Sequence, residues 1–216
     1  LRSLRNTVIF SLGKLALQFP MAIMLALALN ELQHARIKKI YQTVFTFPHF
    51  ISWVVMAGIL KIMFASNGVI NQLLTVWGME SVSPLLSLTG FRPCIWFSNI
   101  WKEAGWDTII YMAALAGIDP GLYEAAEIDG ANRWRKIWHI TLPGIRSTIL
   151  IMLILEIGRI MTTGASFDQV FNLYSSPVYE VADTIDTYIY RTSFGGTKNF
   201  GYTTAVGLSK SVIGVL

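Results

Sequence analysis

Five apolar stretches, each long enough to reach across a bilayer or nearly so, constrain this chain more than any other feature. A hydrocarbon core takes roughly 20 apolar residues, with a few polar ones tolerated where they face protein. The first stretch runs from about Thr7 to Leu29 and includes Lys14, Gln18 and Pro20. The second runs from about Val44 to Phe64, with Pro48 and His49 near its start. The third, about Cys94 to Gly117, carries Lys102, Glu103 and Asp107, so lipid cannot surround it. The fourth is about Thr148 to Tyr174, and the fifth begins near Tyr202. In lipid every backbone polar group must be satisfied internally, which leaves helices for segments of this length. The expectation is one all-α transmembrane domain over 1–216, with no soluble domain and no internal repeat.

Only 14% of the residues are charged, against about 25% in ordinary soluble domains, and mean hydropathy is +0.51. The net charge of +4 does not point to nucleic acid, because the bases sit in short connections and not along one stripe. The lone cysteine, Cys94, excludes an internal disulfide and reads as a small packed residue. The chain starts at Leu1 and stops inside the apolar run Ala205–Leu216, so it reads as a piece of a longer protein.

Orientation follows the bases of the short loops. Arg36, Lys38 and Lys39 follow the first span; Arg133, Arg135, Lys136 and Arg146 follow the third. The opposite connections, 65–93 and 175–201, hold only Arg92, Arg191 and Lys198. Seven bases against three place the loop at about 118–146 in the cytoplasm; the pair Arg2 and Arg5 weighs mildly the other way.

That loop is unlike the spans around it. Asp119-Pro120 is a helix start, a capping carboxylate followed by a proline whose missing N–H costs nothing there. Leu122 to Asp129 reads as a short helix that Gly130 ends, and Ala125 and Ala126 flatten its surface. A second helix places Trp134, Ile137, Trp138 and Thr141 on one face and Arg133, Arg135, Lys136 and His139 on the other, an amphipathic arrangement suited to a membrane surface. Pro143 ends it. Two readings stand side by side: a basic loop that fixes topology, or a small knob, with Glu124 exposed, shaped for a groove on a partner.

The spacing Glu124-Ala125-Ala126, Gly130, then Ile140-Thr141-Leu142-Pro143, with Asp129 before the glycine, resembles the EAA loop of ABC-importer permeases. Further likenesses to the carbohydrate-uptake, maltose-type branch are Asn6-Thr7, Tyr111 to Ile118, and Phe167-Asp168-Gln169-Val170-Phe171. Val178-Tyr179-Glu180 and Asp186 to Arg191 are similar to a narrower group. That group holds the lipoprotein-B-type polysaccharide permeases and the first permease subunit of alginate-oligosaccharide importers. The resemblance implies a type I ABC-importer permease bundle in a bacterial plasma membrane, multi-pass, with about five spans here and a cytoplasmic coupling helix. It implies that Glu124, Ala125, Ala126, Asp129 and Gly130 dock a cytoplasmic ATP-binding subunit, while Ile140, Leu142 and Pro143 seat the second helix against the membrane domain. The implied partners are a second permease subunit in a heterodimer, a dimer of ATP-binding subunits and an extracytoplasmic sugar-binding protein. No cofactor is expected in this chain, and ATP and Mg are expected in the ATP-binding partner.

No phosphate loop of the form G-x-x-x-x-G-K-[ST] occurs, nor H-E-x-x-H nor G-x-S-x-G. His34, His49 and His139 are far apart in sequence and read as packed or interfacial. The chain is therefore not expected to be an enzyme. For the substrate pathway the candidates are Arg159, Asp168, Gln169, Asn172 and Lys102. Glu156 and Arg159, at i and i+3, can instead pair along one helix face. Lys102, Glu103 and Asp107 can instead sit near the outer end within reach of water. A stand-alone secondary transporter or channel is the alternative function; it calls for an ion relay and ideally an inverted repeat. The sugar is open among a uronate oligomer, a neutral oligosaccharide and a shorter glycoside.

Overall fold

A computed structural model of the chain describes residues 1–32, 34–160, 166–195 and 200–215, and every regular element among them is helical. The helices are α1 (Arg2–Asn30), α2 (Ala35–Thr46), α3 (Trp53–Met63), α4 (Val69–Val76), α5 (Phe91–Ala116) and α6 (Pro120–Ile128). They continue with α7 (Arg133–Gly144), α8 (Arg146–Gly158), α9 (Phe167–Leu173), α10 (Tyr179–Ala182), α11 (Ile185–Phe194) and α12 (Phe200–Val215). Among the described residues α1 alone is long and apolar enough to cross a membrane by itself. Two further spans arise only if Ala35–Phe50 is taken with Trp53–Met63 and Arg133–Gly144 with Arg146–Gly158. The third expected span is present as the 26-residue α5, whose charges Arg92, Lys102, Glu103 and Asp107 keep it from qualifying on hydropathy.

Two expected spans are broken by recognisable chemistry. The stretch expected to run unbroken from Val44 leaves α2 at Thr46, passes through a 3-10 turn at Phe47–Phe50 and restarts as α3. Pro48 has no N–H to return to the preceding turn, and Ser52 caps the new helix by accepting from the Val55 amide at 3.3 Å. The bases Arg36, Lys38 and Lys39 accordingly lie on a helix, α2, where a loop was expected. In the fourth stretch α8 ends at Gly158 and α9 begins at Phe167, while 161–165 fall outside the described residues. Lys102, Glu103 and Asp107 lie in the middle of α5 and not at its outer end.

The described residues form two compact units. The first comprises Leu1–Leu17, Ile51–Ile100 and Gly158–Leu216. Its core joins Phe10, Met56, Leu60, Phe91, Ile95, Val170 and Leu173, with Phe10 and Phe91 edge to face at 6.4 Å between centroids. Lipid tails are as apolar as leucine, so close packing and hydrogen bonds must supply the cohesion. Two polar assemblies do so. Asn6, fully buried, donates to the carbonyls of Glu180 and Asp183, both at 3.0 Å, and accepts from Arg92 at 2.9 Å. Asp183 is buried and receives Arg191 at 3.1 and 2.8 Å, Ser3 at 3.2 Å and Thr187 at 3.0 Å. Elsewhere, buried Asn71 donates to the carbonyls of Ala65 at 2.8 Å and Val82 at 3.0 Å and accepts from the Val82 amide at 2.7 Å. It thereby fixes the stretch that follows α4.

The second unit comprises Gln18–Phe50 and Trp101–Ile157. Ala22, Ala26, Tyr111, Leu115 and Ile145 form its core, with Phe19, Ile118 and Met152 packed against them. Gly105 allows backbone contact: a Cβ there would lie 2.0 Å from the Phe45 carbonyl oxygen. This unit carries α6 and α7, the two helices of the loop at about 118–146.

Candidate functional site

Helix α6 starts as its sequence dictates. Asp119 accepts from the Gly121 amide at 2.9 Å and Pro120 occupies the first turn. It ends one residue before the expected Asp129. The Gly130 amide bonds the Glu127 carbonyl at 3.0 Å and the Ala131 amide bonds the Ala126 carbonyl at 2.8 Å. That pair of bonds is a Schellman closure, which calls for a left-handed residue. Gly130 supplies it with φ of 72°. Asn132 then caps α7, accepting from the Arg135 amide at 2.9 Å. A helix, a left-handed glycine and a second capped helix thus follow one another within a few residues, which makes a compact projection.

No residue of α6 is buried. Glu124 and Ala125 are exposed and Ala126 is half-buried. Ile128 is 88% exposed and Leu122 52%, and Glu124 and Ile128, four residues apart, share one uncovered helix face. On the other side α6 is tied to α7. The Tyr123 hydroxyl meets Thr141 Oγ1 at 3.0 Å, and Lys136 pairs with Glu127 at 2.5 Å. That hydrogen bond and charge hold the Glu127 carboxyl below the usual carboxylate range.

Within α7 the expected regular stripe does not hold. Residues Ile137–Thr141 form a π turn between the α-helical Arg133–Lys136 and Leu142–Gly144, and the extra residue per turn shifts the face. Lys136, expected to point outward with Arg133, Arg135 and His139, turns in toward Glu127, its side chain 17% exposed. Thr141 and Ile145 are the buried members of the run. Ile140 and Leu142 are partly buried and Pro143 is exposed, while Trp134 and Trp138 stay 71% and 64% exposed. Neither Asn132 nor the Glu127–Lys136 pair was picked out from the sequence. The asparagine ahead of a basic helix was the available signal for the first; the second needed the π turn.

The sequence of the family described as "Binding-protein-dependent transport system inner membrane component" matches residues 18–216. The chain belongs to that family. The permease is 44% identical over 216 residues to the polygalacturonan/rhamnogalacturonan transport system permease protein YteP of Bacillus subtilis, covering 99% of this chain and 66% of that one. To protein LplB of the same organism it is 46% identical over 217 residues, covering 100% and 67%. It thus spans about two thirds of the length of these relatives. A crystal structure of a bacterial ABC transporter involved in the import of the acidic polysaccharide alginate matches with a TM-score of 0.94 and 42% identity, over 99% of this chain and 74% of that one. The family is one of transport components, and the permease is no enzyme.

The pathway candidates of the permease fall in different surroundings. In the second unit Lys102 is buried; it donates to the His49 carbonyl at 2.5 Å and pairs with Glu103 at 3.2 Å. Glu103 also meets the His49 ring at 2.6 Å, and Trp106 stacks on that ring at 4.3 Å. The cluster satisfies a carbonyl that the break after Pro48 would otherwise strand. In the first unit Gln169, 1% exposed, donates to the Ile95 carbonyl at 2.8 Å and Ser98 Oγ at 3.0 Å. Its amide nitrogen is therefore committed to packing α9 on α5. Asp168 and Arg159 are exposed, and Asn172 donates to the Asp168 carbonyl at 2.7 Å. Arg159 lies just beyond the end of α8.

Proposed function

We propose that this permease forms half of the translocation pathway of an ATP-driven importer for oligosaccharides, with uronate-containing chains as the favoured substrates. The observation that carries the reading is the projection built by α6, Gly130 and α7, which presents Glu124 and, one turn on, uncovered Ile128. An apolar knob bearing one carboxylate suits a groove with a basic rim on a partner protein. The partner is a cytoplasmic ATP-binding subunit, present as a dimer and holding ATP and Mg. A second permease subunit completes the pathway, and an external sugar-binding protein delivers the substrate. The alginate importer, solved in complex with an alginate pentasaccharide-bound periplasmic protein, and the relative that carries polygalacturonan and rhamnogalacturonan support acidic oligosaccharides as the class. Within the spans Lys102 and Arg159 are the cationic candidates along the route, with Asp168 and Asn172 as hydroxyl partners.

A single cysteine at Ala125, the exposed member of the alanine pair, tests the dock. It is placed in a Cys94→Ala background in the full-length protein and combined with cysteines along the cleft of the ATP-binding subunit. Crosslinking whose yield changes with ATP is expected. No crosslink at any cleft position, with both proteins folded and in the membrane, would remove the coupling reading.

A further inference from the structure

Among the described residues only one buried side-chain oxygen or nitrogen lacks a hydrogen-bond partner, the Ser175 hydroxyl. It lines a cavity of about 350 Å³ in the first unit, where the C-terminal end of α3, the 3-10 turn Pro84–Leu86 and the end of α9 meet. Lys61, Ser66, Ser83, Phe64 and Tyr174 line the same space, and no carboxylate does. Among the described residues no acid pairs with Lys61. A second, more open cavity of about 650 Å³ shares Phe64 and Ser83 with the first.

The chemistry of this lining is selective. A buried hydroxyl is costly to leave unmade, so Ser175 calls for an occupant that can bond it. An ammonium with no acid beside it calls for an anion. Phe64 and Tyr174 add apolar surface, which suits the C–H faces of a ring. Ligand pockets run from about 300 to 1,000 Å³, and this one lies at the small end, sized for a single ring. The adjoining cavity leaves room for that ring's neighbours in a chain.

We propose that this cavity is a subsite for one uronate residue of the transported oligosaccharide, distinct from the positions of Lys102 and Arg159. Lys61 pairs with the carboxylate, and Ser66, Ser83 and Ser175 bond the ring hydroxyls. The proposal rests on the reading of the chain as an oligosaccharide permease. It makes Lys61 a determinant of acidic over neutral sugars.

The test uses the full-length permease, reconstituted with its partner subunits and external binding protein in vesicles. Uptake of trigalacturonate is compared with that of the same trimer after carboxyl reduction. Lys61→Met is expected to raise the KM for the acidic trimer about tenfold, the loss of one charge-assisted contact. It should leave kcat and uptake of the reduced trimer unchanged. Ser175→Ala is expected to raise both KM values by the same small factor, with no change in thermal stability. Wild-type uptake of the acidic trimer with an unaltered KM in Lys61→Met would overturn the subsite alone. Failure of the wild type to carry either trimer would overturn the transport reading and its ligand together. An acidic preference that tracks the phosphatidylglycerol content of the vesicles, and not Lys61, would assign the cavity to a lipid headgroup and also overturn the proposal.

Discussion

Two connections of similar make-up, each built from short helices between spans, have opposite relations to the protein around them. The connection from Ser176 to Phe194 is bound down: Asp183, Thr184 and Thr187 are buried, Ser3, Asn6 and Thr7 bond to it from α1, and its own Arg191 closes on Asp183. The loop carrying α6 and α7 buries nothing of α6 and leaves Ile128 almost wholly uncovered. A chain that spends buried charge to immobilise one connection while presenting apolar surface on the other is assigning them different tasks. The bound connection belongs to the permease's own stability, and the presented one is available to a partner. Substitutions should therefore separate: those in the loop cost function without unfolding the protein, and those in the connection cost stability.

The largest effect on function is expected from Glu124→Lys. It should abolish ATP-dependent uptake in vesicles while the thermal unfolding midpoint stays at the wild-type value. Normal uptake would merge the two regions into one class. Asp183→Ala is expected to be the largest effect on stability. It strands four donors, but Arg191 is half-exposed and regains water, so the loss is set at roughly 2 kcal/mol, below the value for a fully buried pair. Denaturant unfolding of the purified full-length protein measures it, and an unchanged midpoint would mean that the connection is not clamped. Gly130→Val forces a branched side chain into a left-handed conformation, a local cost of about 1–2 kcal/mol. Recovery of the ATP-binding subunit on co-purification should fall with little change in overall stability.

The smallest effect is expected at Glu127. Its carboxyl is held low in the folded state by Lys136, so the contribution of the pair is fully present above the ordinary carboxylate range. It is lost only as pH falls through the lower folded value. Amide-exchange protection in α6, taken relative to the intrinsic rate at each pH, should thus fall on acidification in the wild type and show a weaker pH response in Glu127→Gln. The pair is exposed, which keeps the effect small.

Much of the loop could be read in the residues because its geometry is local. Asp119-Pro120 and Gly130 act within one turn of the backbone they shape, so the start and stop of α6 were legible to within a residue or two. Long-range choices were not. Nothing near Gln169 says that its amide will meet Ile95 and Ser98, and it was read as a sugar contact. The break at Phe47–Phe50 had its signal in Pro48, which was noted but read as part of a continuous span. The π turn in α7 left no local trace and moved Lys136 from one face to another. Residues whose partners lie on another helix were not legible, and of the local caps Asp119 was read while Asn132, bonded three positions on, was passed over.

Asn71 shows a different economy. By exchanging a donor and an acceptor with the backbone of Val82 at 3.0 and 2.7 Å, one side-chain amide stands in for a peptide group of a neighbouring strand. The segment after α4 gains the pairing of a sheet without having one. Because the substitute is a side chain and not an extended backbone, it offers no row of open donors and acceptors along its far side. Another chain finds no edge there to extend, a safeguard against misassembly for a hydrophobic protein waiting to be inserted.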